Sequence, residues 1–197
     1  MHYFKTALMG IFLLSSAGIQ AADESGNFVY KGAGITSCSD FVSARKQGGN
    51  TYFMYGGWIE GFISGANLYE QATYDLLPWQ NTDLLAASLA KYCTSQPDEP
   101  FHRAVTRMMQ SLYAQRLQSS SPIVVLKSDE NSVAVYKEVI VRMQKRLTEK
   151  GHYTGESHGV FDQATRDAVL AFQAARGIQA TGLPDMVTLV HLMSGSD

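Results

Sequence analysis

Apolar residues recur at helical spacing through most of the chain, interrupted by Gly, Pro, Ser and Asn, and this pattern predicts seven helices and one short strand. Ser37 before Cys38-Ser39-Asp40-Phe41-Val42 marks a helix start, and Gly48-Gly49 marks its stop. A second helix is predicted from about Tyr52 to Ala72. A third is capped by Asn81-Thr82-Asp83 and continues to Tyr92-Cys93. After Pro97 and Pro100, a fourth runs from about Phe101 to Leu117, with Val105, Met108, Met109, Leu112 and Leu117 as its apolar positions.

The composition then shifts to Gln118-Ser119-Ser120-Ser121-Pro122, and again at Ser128-Asp129-Glu130-Asn131-Ser132, which reads as a linker flanking the strand Ile123-Val124-Val125-Leu126. From Val133 a helix to Lys150 places Ile140, Met143 and Leu147 on one stripe, and Gly151 stops it. Residues 153–161 form a loop. Asp162 caps a helix through Ala175 that buries Ala168, Val169 and Phe172 and ends at Gly177, and Pro184-Asp185 opens a short helix with Leu189 and Leu192.

The second helix carries Gly57, Gly61 and Gly65 four apart, so three residues without side chains share one face. Each Gly costs about 1 kcal/mol against Ala in a helix, which leads us to expect another backbone packed closely there. Glu60, Ser64, Asn67 and Glu70 interrupt the run, favouring close packing in a non-membrane helical domain, with Trp58, Phe62 and Ile63 as neighbouring apolar surface.

The first residues change the compartment. Lys5, the apolar run Ala7–Leu14 and the small residues ending at Ala21-Ala22 have the outline of a secretory signal peptide. The run is shorter than the roughly 20 residues that span a bilayer, so no stable membrane anchor is expected. Export to the periplasm permits a disulfide, and the two cysteines allow one intramolecular pairing, Cys38 with Cys93. The competing reading makes one of them a catalytic thiol, but between residues 22 and 151 the only histidine is His102.

Composition sets further bounds: 197 residues, 45% hydrophobic and 17% charged, describe a chain with a core, and 16 Lys+Arg against 18 Asp+Glu give no basis for binding nucleic acid. Arg103, Arg107 and Arg116 lie partly on one face of the fourth helix, either as a solvated face or as a stripe for a protein partner. The sequence has no H-E-x-x-H, G-x-S-x-G, phosphate loop or dinucleotide fingerprint. His152, His158 and His191 do not make a metal site, and neither metal nor cofactor is expected. Glu60 and Glu70, ten residues apart on one helix, are separated by about 15 Å, beyond the usual spacing of a glycosidase pair.

Two resemblances follow. The pattern Gly32…Cys38, Trp58-x-x-Gly61-Phe62-x-x-Gly65-x-Asn67 and Tyr92-Cys93-x-x-x-Pro97, over residues 32–117, resembles the acid-chaperone (HdeA-like) proteins and the Tai-type immunity proteins of type VI secretion. That resemblance implies protein binding or protection without catalysis. The set Met143-Gln144-x-x-Leu147, Gly151-x-Tyr153-x-Gly155, Gly159-Val160-Phe161, Thr165-x-x-Ala168-Val169-x-x-Phe172-Gln173, Gly177-Ile178, Thr181-Gly182, Asp185 and Thr188 resembles the peptidoglycan-binding-like domain. His158 stands where that family usually has Asp, and Asp162 where it often has Gly.

Within this second set most positions read as structural. Phe161, Val169, Phe172 and Leu189 are core, and Gln144 and Gln173 are expected to hydrogen-bond loop backbone. Ligand contact is expected at an exposed rim of Tyr153, Glu156, His158 and Arg166, where an aromatic face, an acid and cations meet sugars and charged stem peptides.

The expected protein is mainly α: a signal peptide (1–21), a disulfide-tied helical domain (22–117), a linker with a short strand (118–132) and a three-helix peptidoglycan-binding-like domain (133–193). Its expected role is non-catalytic binding of peptidoglycan in the periplasm, with residues 22–117 presented to a protein partner. The alternatives are an immunity protein that neutralises a wall-directed toxin, and an accessory to wall hydrolysis or a divergent hydrolase.

Overall fold

The computed structural model describes Asp23, Ser25, residues 28–128 and residues 131–194. The signal peptide expected at 1–21 lies outside the described residues. By their contacts, Met1–Tyr30 form one unit and Lys31–Asp197 another. In the first, the rings of Phe28 and Tyr30 meet at 4.8 Å.

The second unit opens with a 3-10 turn, Gly32–Ile35, and then α1 (Cys38–Gln47), α2 (Gly49–Tyr69), α3 (Thr82–Ser95) and α4 (Phe101–Leu112). The starts are built by side chains that the sequence supplies. Ser37 and Asp40 exchange hydrogen bonds in a capping box, and the Asn81 carboxamide accepts from the Leu84 N–H. Those bonds from Ser37 hold the Asp40 carboxyl below the usual carboxylate range. The fourth helix is shorter than its pattern predicted: after Leu112 the chain tightens into a 3-10 turn, Tyr113–Gln115, and Leu117 instead bridges back to Asp75, buried but not helical.

Around these helices Phe41, Tyr55, Ile59, Leu89, Phe101 and Val105 form a core, with Trp58, Phe62 and Ile63 partly buried against it. The rings of Phe41 and Phe101 lie 4.7 Å apart, and Tyr55 meets Phe101 edge-on at 4.9 Å. Cys38 and Cys93 are joined by a disulfide that ties the first turn of α1 to the end of α3, with Cα atoms 4.8 Å apart. The thiol alternative is thereby removed.

Among the described residues the expected close packing at the glycine stripe is not found. A Cβ added at Gly57, Gly61 or Gly65 would meet nothing within 4 Å. The core lies on the Tyr55–Ile59 face of α2, and the glycines look away from it. Backbone does approach a side chain closely elsewhere, at Gly34, where a Cβ would stand 2.3 Å from the Trp58 ring. Trp58 is fixed there by its own indole N–H, which donates to the Lys31 carbonyl at 2.8 Å.

The segment between the two helical groups holds two strands, not one. β1 (Ile123–Ser128) pairs antiparallel with β2 (Asn131–Tyr136), Leu126 opposite Val133 and Val124 opposite Val135. The helix expected from Val133 therefore begins at Lys137, because Val133 and Val135 alternate inward with Ser132 and Ala134 outward, a strand period that a helical reading overruns. α5 (Lys137–Glu149), α6 (Gln163–Arg176) and α7 (Met186–Met193) follow. Asp162 and Asp185 cap α6 and α7, and Gly177 closes α6 at φ 64°, a left-handed position that suits glycine. Ile140, Met143, Leu147, Val169, Phe172 and Leu192 make the second core, on which Phe161 packs partly buried.

The second core is crossed by amides. The Gln144 carboxamide donates to the Val160 carbonyl (2.9 Å) and the Thr165 hydroxyl (3.0 Å) and accepts from the Gly159 N–H (2.9 Å). Gln173 donates to the Leu183 carbonyl (3.1 Å) and the Thr188 hydroxyl (2.8 Å) and accepts from the Gly182 N–H (2.9 Å). Both glutamines and both threonines are fully buried. Between the helical groups, Arg142 of α5 donates to the backbone carbonyls of Gln115 and Arg116, while the Glu138 N–H donates to the Ser121 hydroxyl at 3.0 Å.

No helix among the described residues is long and apolar enough to cross a membrane.

Candidate functional site

The loop from Tyr153 to Phe161 is pinned from inside by Gln144, which takes hydrogen bonds with Gly159 and Val160 and leaves the intervening side chains outward. Glu156 and His158 are exposed, as the sequence predicted. Tyr153 is not. Its ring is 5% exposed, and its hydroxyl donates inward to the Glu156 carbonyl at 3.2 Å. The expected aromatic face at the rim is therefore corrected. Tyr153 packs in the core because the turn at Gly155, where a Cβ would stand 2.5 Å from the Tyr153 hydroxyl, folds the chain over the ring.

Arg166, half-buried on α6, donates to the Lys127 carbonyl at 2.9 Å and to the Gly182 carbonyl at 3.3 Å, and its guanidinium lies 5.3 Å from the Phe161 ring centre. It ties the hairpin to the α6–α7 connection. The residues that remain at the rim are Glu156 and His158. The His158 Nδ1 accepts from the Val160 N–H at 3.3 Å. Nearby, the Thr165 hydroxyl and N–H hold the Asp162 carboxyl below its usual range, with His158 adding in the same direction.

A second surface was not anticipated. The ends of α5 and α6 converge on a cleft of about 530 Å³ lined by Arg146, Lys150, His152 and Arg176, with Glu149 beside them and Leu192 and Ala175 as apolar lining. His152 stands edge-on to Phe172 at 5.6 Å, and Arg176 lies 5.7 Å from the same ring. Arg146 pairs with Glu149 at 2.8 Å. Arg146, Lys150 and Arg176 each sit in or next to the last turn of a helix, where they face the carbonyl end of the helix dipole. That is an ordinary place for a basic residue, and it hides from the sequence the fact that two helix ends share one opening. The chemistry offered is recognition of carboxylate or phosphate by a group of charge-assisted donors.

The three arginines of the first helical group do not form one stripe. Arg103 and Arg107 are exposed on α4, whereas Arg116 lies beyond its end. Arg107 is paired with Glu99 at 2.9 Å. The Tyr92 hydroxyl first, and then Arg107, hold the Glu99 carboxyl below its usual range. Arg116 stacks 3.9 Å above Tyr113 and donates to the Ala72 carbonyl at 3.3 Å. The candidate hydrolytic groups are also apart in role: the Thr82 hydroxyl donates to Glu60, and the His102 Nδ1 lies 2.9 Å from the Gly34 carbonyl. Among the described residues no group of three or more His, Cys, Asp or Glu side chains is placed to hold a metal ion.

Residues 137–192 match the protein family described as "Putative peptidoglycan binding domain". The carboxy-terminal helices are thus a peptidoglycan-binding-like domain, and the match supports peptidoglycan as its partner. No curated protein and no solved structure matches the chain, and no finding supports the resemblance of residues 32–117 to acid chaperones or Tai-type immunity proteins. A peptidoglycan-binding-like domain together with a disulfide points to a location outside the cytoplasm.

Proposed function

We propose that this protein is an exported, non-catalytic peptidoglycan-binding protein of the periplasm, in which residues 133–193 hold the cell wall and residues 22–117 engage a protein. The observation that carries this reading is the family match over residues 137–192, on a structure in which the buried Gln144 and Gln173 brace both loops of that domain. The wall offers amino sugars and stem peptides with free carboxylates. The cleft of Arg146, Lys150, His152 and Arg176 suits the carboxylates, and the exposed Glu156 and His158 suit sugar hydroxyls and peptide amines.

Co-sedimentation with purified peptidoglycan sacculi tests this. The unaltered protein is expected in the pellet, and the double variant Arg146→Glu/Arg176→Glu, altered only at exposed positions, is expected mainly in the supernatant. If the unaltered protein stays in the supernatant at low salt, wall binding is wrong. If it sediments but the double variant sediments equally, the ligand lies elsewhere on the domain.

A further inference from the structure

The outward face of α2 has no partner among the described residues. Phe53 is 72% exposed, Met54 64%, Leu68 73% and Tyr69 74%, and between these two pairs Gly57, Gly61 and Gly65 stand in open space. At 100° per residue, Met54, Gly57, Gly61, Gly65 and Leu68 fall within one narrow stripe, with Phe53 and Tyr69 at its two edges. The one charged residue of α2, Glu60, accepts a hydrogen bond from the Thr82 hydroxyl.

The arrangement is a mirror about Gly61. Phe53 and Tyr69 lie eight residues to either side of it, Met54 and Leu68 seven, and Gly57 and Gly65 four. An interfacial two-fold axis beside Gly61, perpendicular to the helix, sets the two Gly61 residues together at the centre, brings Gly57 of one copy level with Gly65 of the next, and at each end places Met54 against Leu68 and Tyr69, with Phe53 flanking the same Leu68. The bulky pairs close both ends, and the glycines let the helix backbones approach closely at the centre. Antiparallel pairing also opposes the two helix dipoles, whereas parallel pairing would align them.

We propose that this face is the contact between two copies of the chain, paired antiparallel through α2. A self-complementary patch is what a two-fold interface requires, since the same surface must serve on both sides. The four large side chains expose on the order of 500 Å² per copy before the glycine backbone and Ser64 are added, a substantial part of the roughly 800 Å² per partner of a standard interface. The inference names the partner of the first helical group and rests on the reading of residues 22–117 as a protein-binding module. Wall binding by residues 137–192 does not depend on it.

The test exploits the open space at Gly61. In one copy, Gly61→Leu adds a side chain whose Cβ meets nothing within 4 Å and improves helix propensity, so this variant folds, with a melting temperature at or above that of the parent when both are diluted to single chains. In the pair the same side chain stands on the two-fold axis. Light scattering coupled to gel filtration, up to about 100 µM to populate a micromolar dimer, is expected to give the mass of two chains for the parent and half that for Gly61→Leu. Mixed single-cysteine chains Met54→Cys and Leu68→Cys are expected to cross-link to each other and not to themselves.

A parent of one-chain mass overturns the proposal, as does a Gly61→Leu variant that keeps two-chain mass. Self-cross-linking of Met54→Cys overturns the antiparallel arrangement. Sacculus sedimentation of Gly61→Leu separates the two ideas: retention in the pellet with a one-chain parent rejects the pairing alone, whereas loss of the parent from the pellet rejects wall binding.

Discussion

Gln144 and Gln173 stand in the same relation to the chain that follows each of them. Each is buried on a helix, accepts from the N–H of a glycine with positive φ (Gly159 at 76°, Gly182 at 64°), and donates to the carbonyl of the next residue. Three residues after each glycine an aspartate caps the next helix, and three further on a buried threonine returns to the glutamine. The domain contains one hydrogen-bonded unit twice, and the two amides satisfy the loop backbone that passes beneath the surface.

Replacing Gln144 by Leu removes the acceptor of the Gly159 N–H and one donor each to the Val160 carbonyl and the Thr165 hydroxyl. Loss of about 3 kcal/mol is expected, read as a lower urea midpoint, with Gln173→Leu behaving alike. An unchanged midpoint would show that water replaces the amide.

The disulfide closes a separation of 55 residues. Reduction, or Cys38→Ser with Cys93→Ser, is expected to lower stability by up to about 4 kcal/mol, chiefly by freeing the unfolded chain. A melting temperature insensitive to reductant would contradict this.

Gly34→Ala drives a methyl group to within 2.3 Å of the Trp58 ring. Because Trp58 is also held by the Lys31 carbonyl, the ring cannot simply withdraw, and a cost of about 1–3 kcal/mol is expected in thermal unfolding. Gly61→Ala, with open space around it, should show the opposite sign.

Asp40, Asp162 and Glu99 are each held below their usual ranges by Ser37, Thr165 and Tyr92 respectively. Their folded values lie under the unfolded ones, so the stability they contribute is complete above about pH 4–5 and is lost as pH falls through the folded values. Urea midpoints taken from pH 6 to pH 2 should fall steadily below pH 4, and less steeply in Asp40→Asn.

Arg142→Ala removes the donors to the Gln115 and Arg116 carbonyls. A loss of about 2 kcal/mol is expected, with faster amide hydrogen exchange across residues 113–117. No change in either would mean that the Arg142 bonds do not join the helical groups.

Helix starts and stops were legible wherever a single side chain or glycine decides them: Ser37, Asn81, Asp162, Asp185 and Gly177 act where the sequence placed them. So was the pairing of the only two cysteines, and so were both core stripes of the second domain, because a period of three to four apolar residues has one solution on a helix. The residue pattern also identified that domain and assigned its two glutamines to loop backbone.

Tertiary structure alone decided what each face meets. Three glycines in register signal close approach, but nothing local says whether the approaching backbone belongs to the same chain, and here the face is open. Tyr153 reads as amphipathic and is turned inward by the fold of its loop. Arg146, Lys150 and Arg176 sit at the ends of two helices some thirty residues apart and share a cleft only because those ends converge. Periodicity is a property of one helix, whereas a site is a property of several, and their meeting depends on packing that no single segment encodes.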